Sequence, residues 1–287
     1  MMKKSAQIRL QAKSSVCNQR GAALLITLLI VSILTGLAVD FAYEVYIGTS
    51  SLSNWSNAQK ASLVAKSGQT LASNLLKEIK DIPPTSQSEV LLPIEKSFGE
   101  NTILTVKLED EEAKLNINSI FFPESGRKGD VGFAALQKLF EYLNINSEIV
   151  QNIADWIGTE KKASLWSVEE LKFIKGIDKE TFDKISPFLT VYGDKLSFKI
   201  NINTAKLPVL LSLGILESDA KNIIYLRESA PFENKNNIPG VGMTIQNKIT
   251  IQSSYFRVTA TATVNEITRV IESVTDTSMN IHYWRES

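Results

Sequence analysis

Residues 21–39 read GAALLITLLIVSILTGLAV, nineteen positions without a charged side chain. At 1.5 Å per residue a helix of that length spans roughly 28 Å, about the hydrocarbon thickness of a bilayer. Apolar on every side for five turns, it does not suit the surface of a soluble domain. The residues before it carry Lys3, Lys4, Arg9, Lys13 and Arg20 and no acid. The positive-inside rule therefore places this leader in the cytoplasm and everything after Val39 beyond the cytoplasmic membrane. A secretory signal would have a shorter apolar core followed by a small-x-small cleavage site. Here the far side reads AVDFAYEVYIG and keeps its helical character.

Helical spacing continues. Ala61, Val64, Gly68, Leu71, Leu75 and Ile79 recur every three or four residues, and Pro83-Pro84 ends the pattern. The reading is one helix from about 22 to 80. Beyond it, residues 101–108, 255–264 and 267–275 alternate as half-buried strands, and Asn265-Glu266 is a short turn between the last two. Between the strands the pattern is helical over 133–143, 147–157, 168–175, 179–189, 207–213 and 218–228. Ser147 and Ser167 are read as helix N-caps, and only Ser167 has a capping-box acid, Glu170. The expected class is α+β: a long N-terminal helix packed on a small antiparallel sheet, interrupted by a mostly α-helical inserted domain.

Composition narrows the function. Lys+Arg and Asp+Glu are 31 each, and the leader's five cations leave 26 against 31 acids in the remainder. A net-acidic body weighs against a nucleic-acid binder, because phosphate neutralisation supplies much of that affinity. Cys17 is the only cysteine and lies in the leader, so no internal disulfide or zinc cluster is available. His282 is the only histidine and stands near the C-terminus, a poor foundation for a catalytic triad. No glycine-rich phosphate loop or nucleophile elbow is present, and the pairs Glu111-Glu112 and Glu169-Glu170 point different ways. The expectation is a protein without catalysis.

Arg20-Gly21 followed directly by an apolar run resembles the type III signal of type IV pilins and type II secretion pseudopilins. The resemblance implies a pilin-like fold and cleavage by prepilin peptidase between Gly21 and Ala22, with Ala22 the new, N-methylated terminus. Most of that family carry glutamate at the fifth mature position; here it is Ile26. The K-type minor pseudopilins commonly lack that glutamate, and this chain resembles them over most of its length. The matching pieces are residues 114–118, 154–157, 174–177, 201–205 and 254–256, in that order. Two weakly similar stretches also recur inside the helical block: 115–126 with 169–190, and 199–227. The implied organisation is a leader over 1–21, a transmembrane helix over 22–42 and a pilin-like core over 43–118. An inserted helical domain over 119–250 and core strands over 251–287 complete it. The implied role is a structural subunit at the tip of the type II secretion pseudopilus, serving export of folded proteins from the periplasm across the outer membrane. Its implied partners are the I- and J-type minor pseudopilins and other pseudopilus subunits, and its place is the bacterial inner membrane, single-pass, with the C-terminal domain periplasmic.

Family members often carry an aspartate-rich stretch after the Asp-Trp pair, consistent with bound calcium. Here Asp155-Trp156 is followed by IGTEKK, a poor setting for a hard dication. Asp155, Glu160 and Glu169 are the weak calcium candidates against a reading as surface charges, and the expectation is no cofactor. A rival reading rests on Ile238-Pro239-Gly240-Val241-Gly242, which resembles the hairpin of helix-hairpin-helix DNA-binding modules; a membrane-anchored DNA receptor is that alternative. Against it, Lys248 is the only cation in the dozen residues after Val241. A minor pilin of a type IV pilus is the other alternative that the sequence leaves open.

Overall fold

The computed structural model describes residues 19–78, 86–92, 98–99, 101–118, 130–157, 164–193 and 198–287. Helix α1 (Gln19–Glu78) runs 60 residues. Residues up to Ser56 form one unit and residues from Asn57 onward another.

In the first unit the helix is exposed along its length, with Leu24, Leu28, Ile33 and Leu37 among the exposed apolar side chains. Its hydroxyls are turned back onto the helix. Thr27 Oγ1 donates to the Leu24 carbonyl and Thr35 Oγ1 to the Val31 carbonyl, both at 2.8 Å. Such back-bonding removes the cost of a lone hydroxyl in an apolar setting.

The second unit is built on a five-stranded antiparallel sheet. β1 (Glu89–Leu92) pairs with β2 (Thr102–Asp110), β2 with β7 (Tyr255–Val264), β7 with β8 (Ile267–Asp276), and β8 with β9 (Ile281–Glu286), in the order β1-β2-β7-β8-β9. In the β7–β8 hairpin the two turn residues, Asn265 and Glu266, have φ of 44° and 71°. That is the primed turn whose twist matches the strands. The C-terminal part of α1 lies against the face formed by Val106, Leu108, Val258, Ala260, Ala262 and Ile271. Gly68 sets the separation: a Cβ there would come within 2.8 Å of Val106 Cγ2 and 2.9 Å of Leu104 Cδ1. The buried stripe is accordingly Ala61, Ala65, Gly68, Ala72 and Leu76. Leu71 and Leu75, expected inside, are exposed; small residues bring the helix close to the sheet and leave the large leucines on the flank. Ile79 lies outside the described residues.

Residues between β2 and β7 build a second, separate apolar core. Strand β3 (Leu115–Asn116) is followed by α2 (Asp130–Tyr142), α3 (Glu148–Asp155), a 3-10 turn (Val168–Phe173) and α4 (Lys179–Ile185). Strand β4 (Leu189–Thr190) returns beside β3, parallel to it. The same order then repeats. Strand β5 (Ile200–Asn201), α5 (Leu207–Ser212), α6 (Glu217–Ser229), a 3-10 turn (Lys235–Asn237) and α7 (Met243–Gln246) lead to β6 (Ile249–Thr250), parallel to β5. Among the described residues, each copy thus includes two α-helices, a 3-10 turn and a further short helix between its parallel strands. Both copies contribute to one core, with Leu136, Leu139 and Phe140 of the first beside Leu210, Ile223 and Ile249 of the second.

Each copy is closed by an asparagine, as shown by matching hydrogen bonds. Asn118 Nδ2 donates to the Leu165 and Val191 carbonyls, both at 2.9 Å, while its Oδ1 accepts the Leu165 N–H at 2.7 Å. Asn203 Nδ2 donates to the Phe232 and Ile251 carbonyls at 2.9 and 3.0 Å, and its Oδ1 accepts the Phe232 N–H at 2.8 Å. In both, the asparagine two residues earlier, Asn116 or Asn201, accepts the backbone N–H at 3.0 Å. Buried backbone groups of loops need such partners, and a primary amide can serve both a donor and an acceptor.

Candidate functional site

Gly21, Ala22 and Ile26, the predicted processing and assembly residues, follow one another within the first two turns of α1, with Ile26 exposed. From Gly21 the helix is long and apolar enough to cross a membrane, and that apolar window is unburied. The first acids along it are Asp40 and Glu44. The exposed apolar length is thus free of carboxylate from Gly21 to Val39, which leaves packing against lipid or other helices as its chemistry.

Asp155 and Glu169 each have their own partners. Asp155, at the end of α3, accepts a hydrogen bond from Gln151 Nε2 at 2.7 Å. Burial pushes the Glu169 carboxyl up, but the Ser167 hydroxyl, its own backbone N–H and the Arg257 and Arg285 charges hold it below the usual range. Glu160 lies outside the described residues. Among the described residues no group of three His, Cys, Asp or Glu side chains could hold a metal ion.

The hairpin at Gly240 also departs from a phosphate cradle. Gly240 has φ of 70°, and a Cβ there would lie 2.5 Å from Asp219 Oδ2, brought in by the first turn of α6. The glycine admits a carboxylate, whose charge repels the phosphate that such hairpins bind. At the equivalent glycine of the first copy, Gly176 with φ of 93°, a Cβ would lie 3.2 Å from Ile149 Cγ1.

Two buried acids that sequence patterns did not single out as a site each carry several hydrogen bonds. Asp110 and Glu111, at the end of β2, are buried. Asp110 accepts from Asn201 Nδ2 at 3.0 Å, Thr204 Oγ1 at 2.5 Å, Ser253 Oγ at 2.7 Å and the Glu112 N–H at 2.8 Å. All these donors are neutral, and burial pushes the Asp110 pKa up. Glu111 accepts from Arg257 Nε at 2.6 Å, Lys114 Nζ at 3.2 Å and the Thr190 hydroxyl. Burial raises its pKa, yet the Lys114 and Arg257 charges outweigh that and hold it below the usual range. The available signal was the repeated Asn-Ile-Asn at 116–118 and 201–203, the second of which contains Asn201.

A long N-terminal helix, apolar and exposed in the first unit and packed on an antiparallel sheet in the second, with a further body inserted between β2 and β7, is a pilin-like fold. No family profile matches the chain. Type II secretion system protein K of Aeromonas hydrophila is 23% identical to it, covering 89% of this chain and 92% of that protein. The crystal structure of the GspK-GspI-GspJ complex from the type 2 secretion system of enterotoxigenic Escherichia coli contains the same fold. It matches with a TM-score of 0.62 at 15% identity, over 83% of this chain and 99% of that one. The chain is thus similar over most of its length to a K-type protein of type II secretion and shares the fold of that complex.

Proposed function

We propose that this minor pseudopilin occupies the distal end of the pseudopilus, inserted in the bacterial inner membrane with its leader cytoplasmic and its folded body periplasmic. There it serves export of folded proteins across the outer membrane as a structural subunit without catalysis. Its partners are the I- and J-type minor pseudopilins and other pseudopilus subunits. Prepilin peptidase cleaves after Gly21, and Ala22 becomes the methylated terminus. The supporting observation is the exposed apolar helix that carries no acid from Gly21 to Val39. A carboxylate in lipid is retained where it has a partner to neutralise, and a last subunit has no helix terminus above it to neutralise. Ile26 in place of glutamate agrees with that position.

Purification from native membranes followed by identification of companions tests the reading: I- and J-type subunits support it, and type IV pilus subunits overturn it. Replacing Gly21 with valine blocks leader removal, so the mature mass found in the parent is absent. Introducing glutamate by Ile26→Glu leaves secretion near the parent level; severe loss would mean that Ile26 sits in a dry contact with a neighbour.

A further inference from the structure

The two apolar cores of residues 57–287 are distinct clusters, one between α1 and the sheet and one inside the helical body. The chain passes between them twice, leaving β2 after Asp110 and entering β7 at Tyr255. Both passages meet at the same polar spot. Asp110 and Glu111 belong to the departing strand's end, and Arg257 and Ser253 to the returning segment. Asn201, Thr204 and Thr190 belong to the helical body. Glu112 adds a bond across the two passages, its Oε2 accepting the Ser254 N–H at 2.5 Å. The side of Arg257 is covered by Tyr192 of the segment after β4, whose ring centroid lies 5.7 Å away.

We infer that Asp110 and Glu111 are positioning residues that lock the helical body in one orientation on the sheet, each carboxylate gripping a different copy of the repeat. Asp110 holds Asn201 and Thr204 of the second copy; Glu111 holds Thr190 of the first. Apolar surfaces can slide at little cost, whereas hydrogen bonds to buried carboxylates are directional. A rotation of the body would strip buried Asp110 of Asn201 and Thr204 and buried Glu111 of Thr190, so a single orientation is selected. Without the lock, two bodies joined by a short polar seam move relative to one another by default. The inference rests on the fold and stands whether or not the subunit caps the fibre.

The test uses the full chain in detergent micelles with Cys17→Ser and spin labels on cysteines at exposed positions. Label pairs at 184/266 and 221/266 report each copy of the repeat against the sheet; the pair 184/221 lies within the helical body. In Asp110→Ala/Glu111→Ala, the width of both body-to-sheet distance distributions about doubles, while the 184/221 distribution keeps its parent width. Thr190→Val/Thr204→Val, which keeps both acids and the side-chain shapes, broadens the same two distances and serves where the first variant does not fold. Parent-like widths for all three pairs in the folded variant overturn the lock. Broadening of the 184/221 pair also overturns it, because the acids would then be holding the helical core and not its orientation.

Discussion

The two copies of the repeat have the same backbone plan and differ in what their hairpin glycines and their attaching acids meet. In the first, the hairpin glycine Gly176 packs on the apolar Ile149; in the second, Gly240 packs on the carboxylate of Asp219. The first is tied to the sheet by an acid with two cations beside it, the second by an acid with neutral donors alone. What they share is small: an Asn-Ile-Asn entry, a glycine in the left-handed region and a pair of parallel two-residue bridges. These few features close the loops and bend the chain, and the apolar positions between them need only fill space. A fold of this kind tolerates wide divergence at every other position.

The largest effect tests that shared minimum. Asn118→Ala and Asn203→Ala each strand buried backbone N–H and carbonyl groups, and each is expected to cost about 3 kcal/mol or more of stability. Denaturant unfolding of the full chain in micelles, followed by tryptophan fluorescence, measures both. Equivalence of the copies predicts similar losses; a loss under about 1 kcal/mol in one of them breaks the comparison.

The glycines come next and should separate the copies. Both Gly176→Ala and Gly240→Ala strain a positive φ, at about 1 kcal/mol each. At Gly240 the new methyl also meets Asp219, adding about 1–2 kcal/mol of overpacking. The second substitution, Asp219→Gly, which also removes the Cβ that would lie 2.6 Å away, should recover most of that excess in the Gly240→Ala background and none in the Gly176→Ala background, each compared with Asp219→Gly alone.

Acid separates the two attachments by sign. Glu111 is held below its ordinary 4.5, so its contribution is present above that value and is lost as pH falls through its folded pKa. Asp110 is held above its ordinary 3.8, so its contribution is present below that value and lost as pH rises through its folded pKa. Stability curves between pH 3 and 7 (about the working range for carboxylates) should therefore lose part of their acid decline in Glu111→Gln. In Asp110→Asn that decline should steepen, because the opposing contribution is gone. The same slope in both variants would mean that the two acids are not differently housed.

Much of this architecture was legible in the residues. The uncharged run, the helix to Glu78 and the strands at 255–264 and 267–276 follow from periodicity, which reports burial on one face directly. Strand β1 is four residues long and half-exposed, and β9 is an exposed edge, so neither carries an alternating pattern to read. The helical spacing at 61–79 gave the right element and a stripe turned by about one residue, because small residues and not leucines face the sheet. The proposed processing and assembly positions, Gly21, Ala22 and Ile26, could be put forward from sequence because their chemistry is local to one segment. The contacts of Asp110 and Glu111 could not, since the donors from the helical body stand 79–94 residues further along the chain.

The smallest effect concerns how each copy starts its second helix. Ser147 precedes α3 and looked like its cap, yet its backbone is already helical (φ −66°, ψ −17°) and its hydroxyl makes no capping bond. The capping role falls one residue earlier, where Asn146 Oδ1 accepts the Glu148 N–H at 2.9 Å. In the second copy the equivalent helix, α6, begins after Leu216 with no side-chain cap, and acids in its first turn, Glu217 and Asp219, meet the exposed N–H groups instead. Asn146→Ala should therefore cost about 1 kcal/mol and Ser147→Ala less than about 0.5 kcal/mol in the same unfolding measurement. The reverse order would return the cap to Ser147 and make the two helix starts more alike than their geometry indicates.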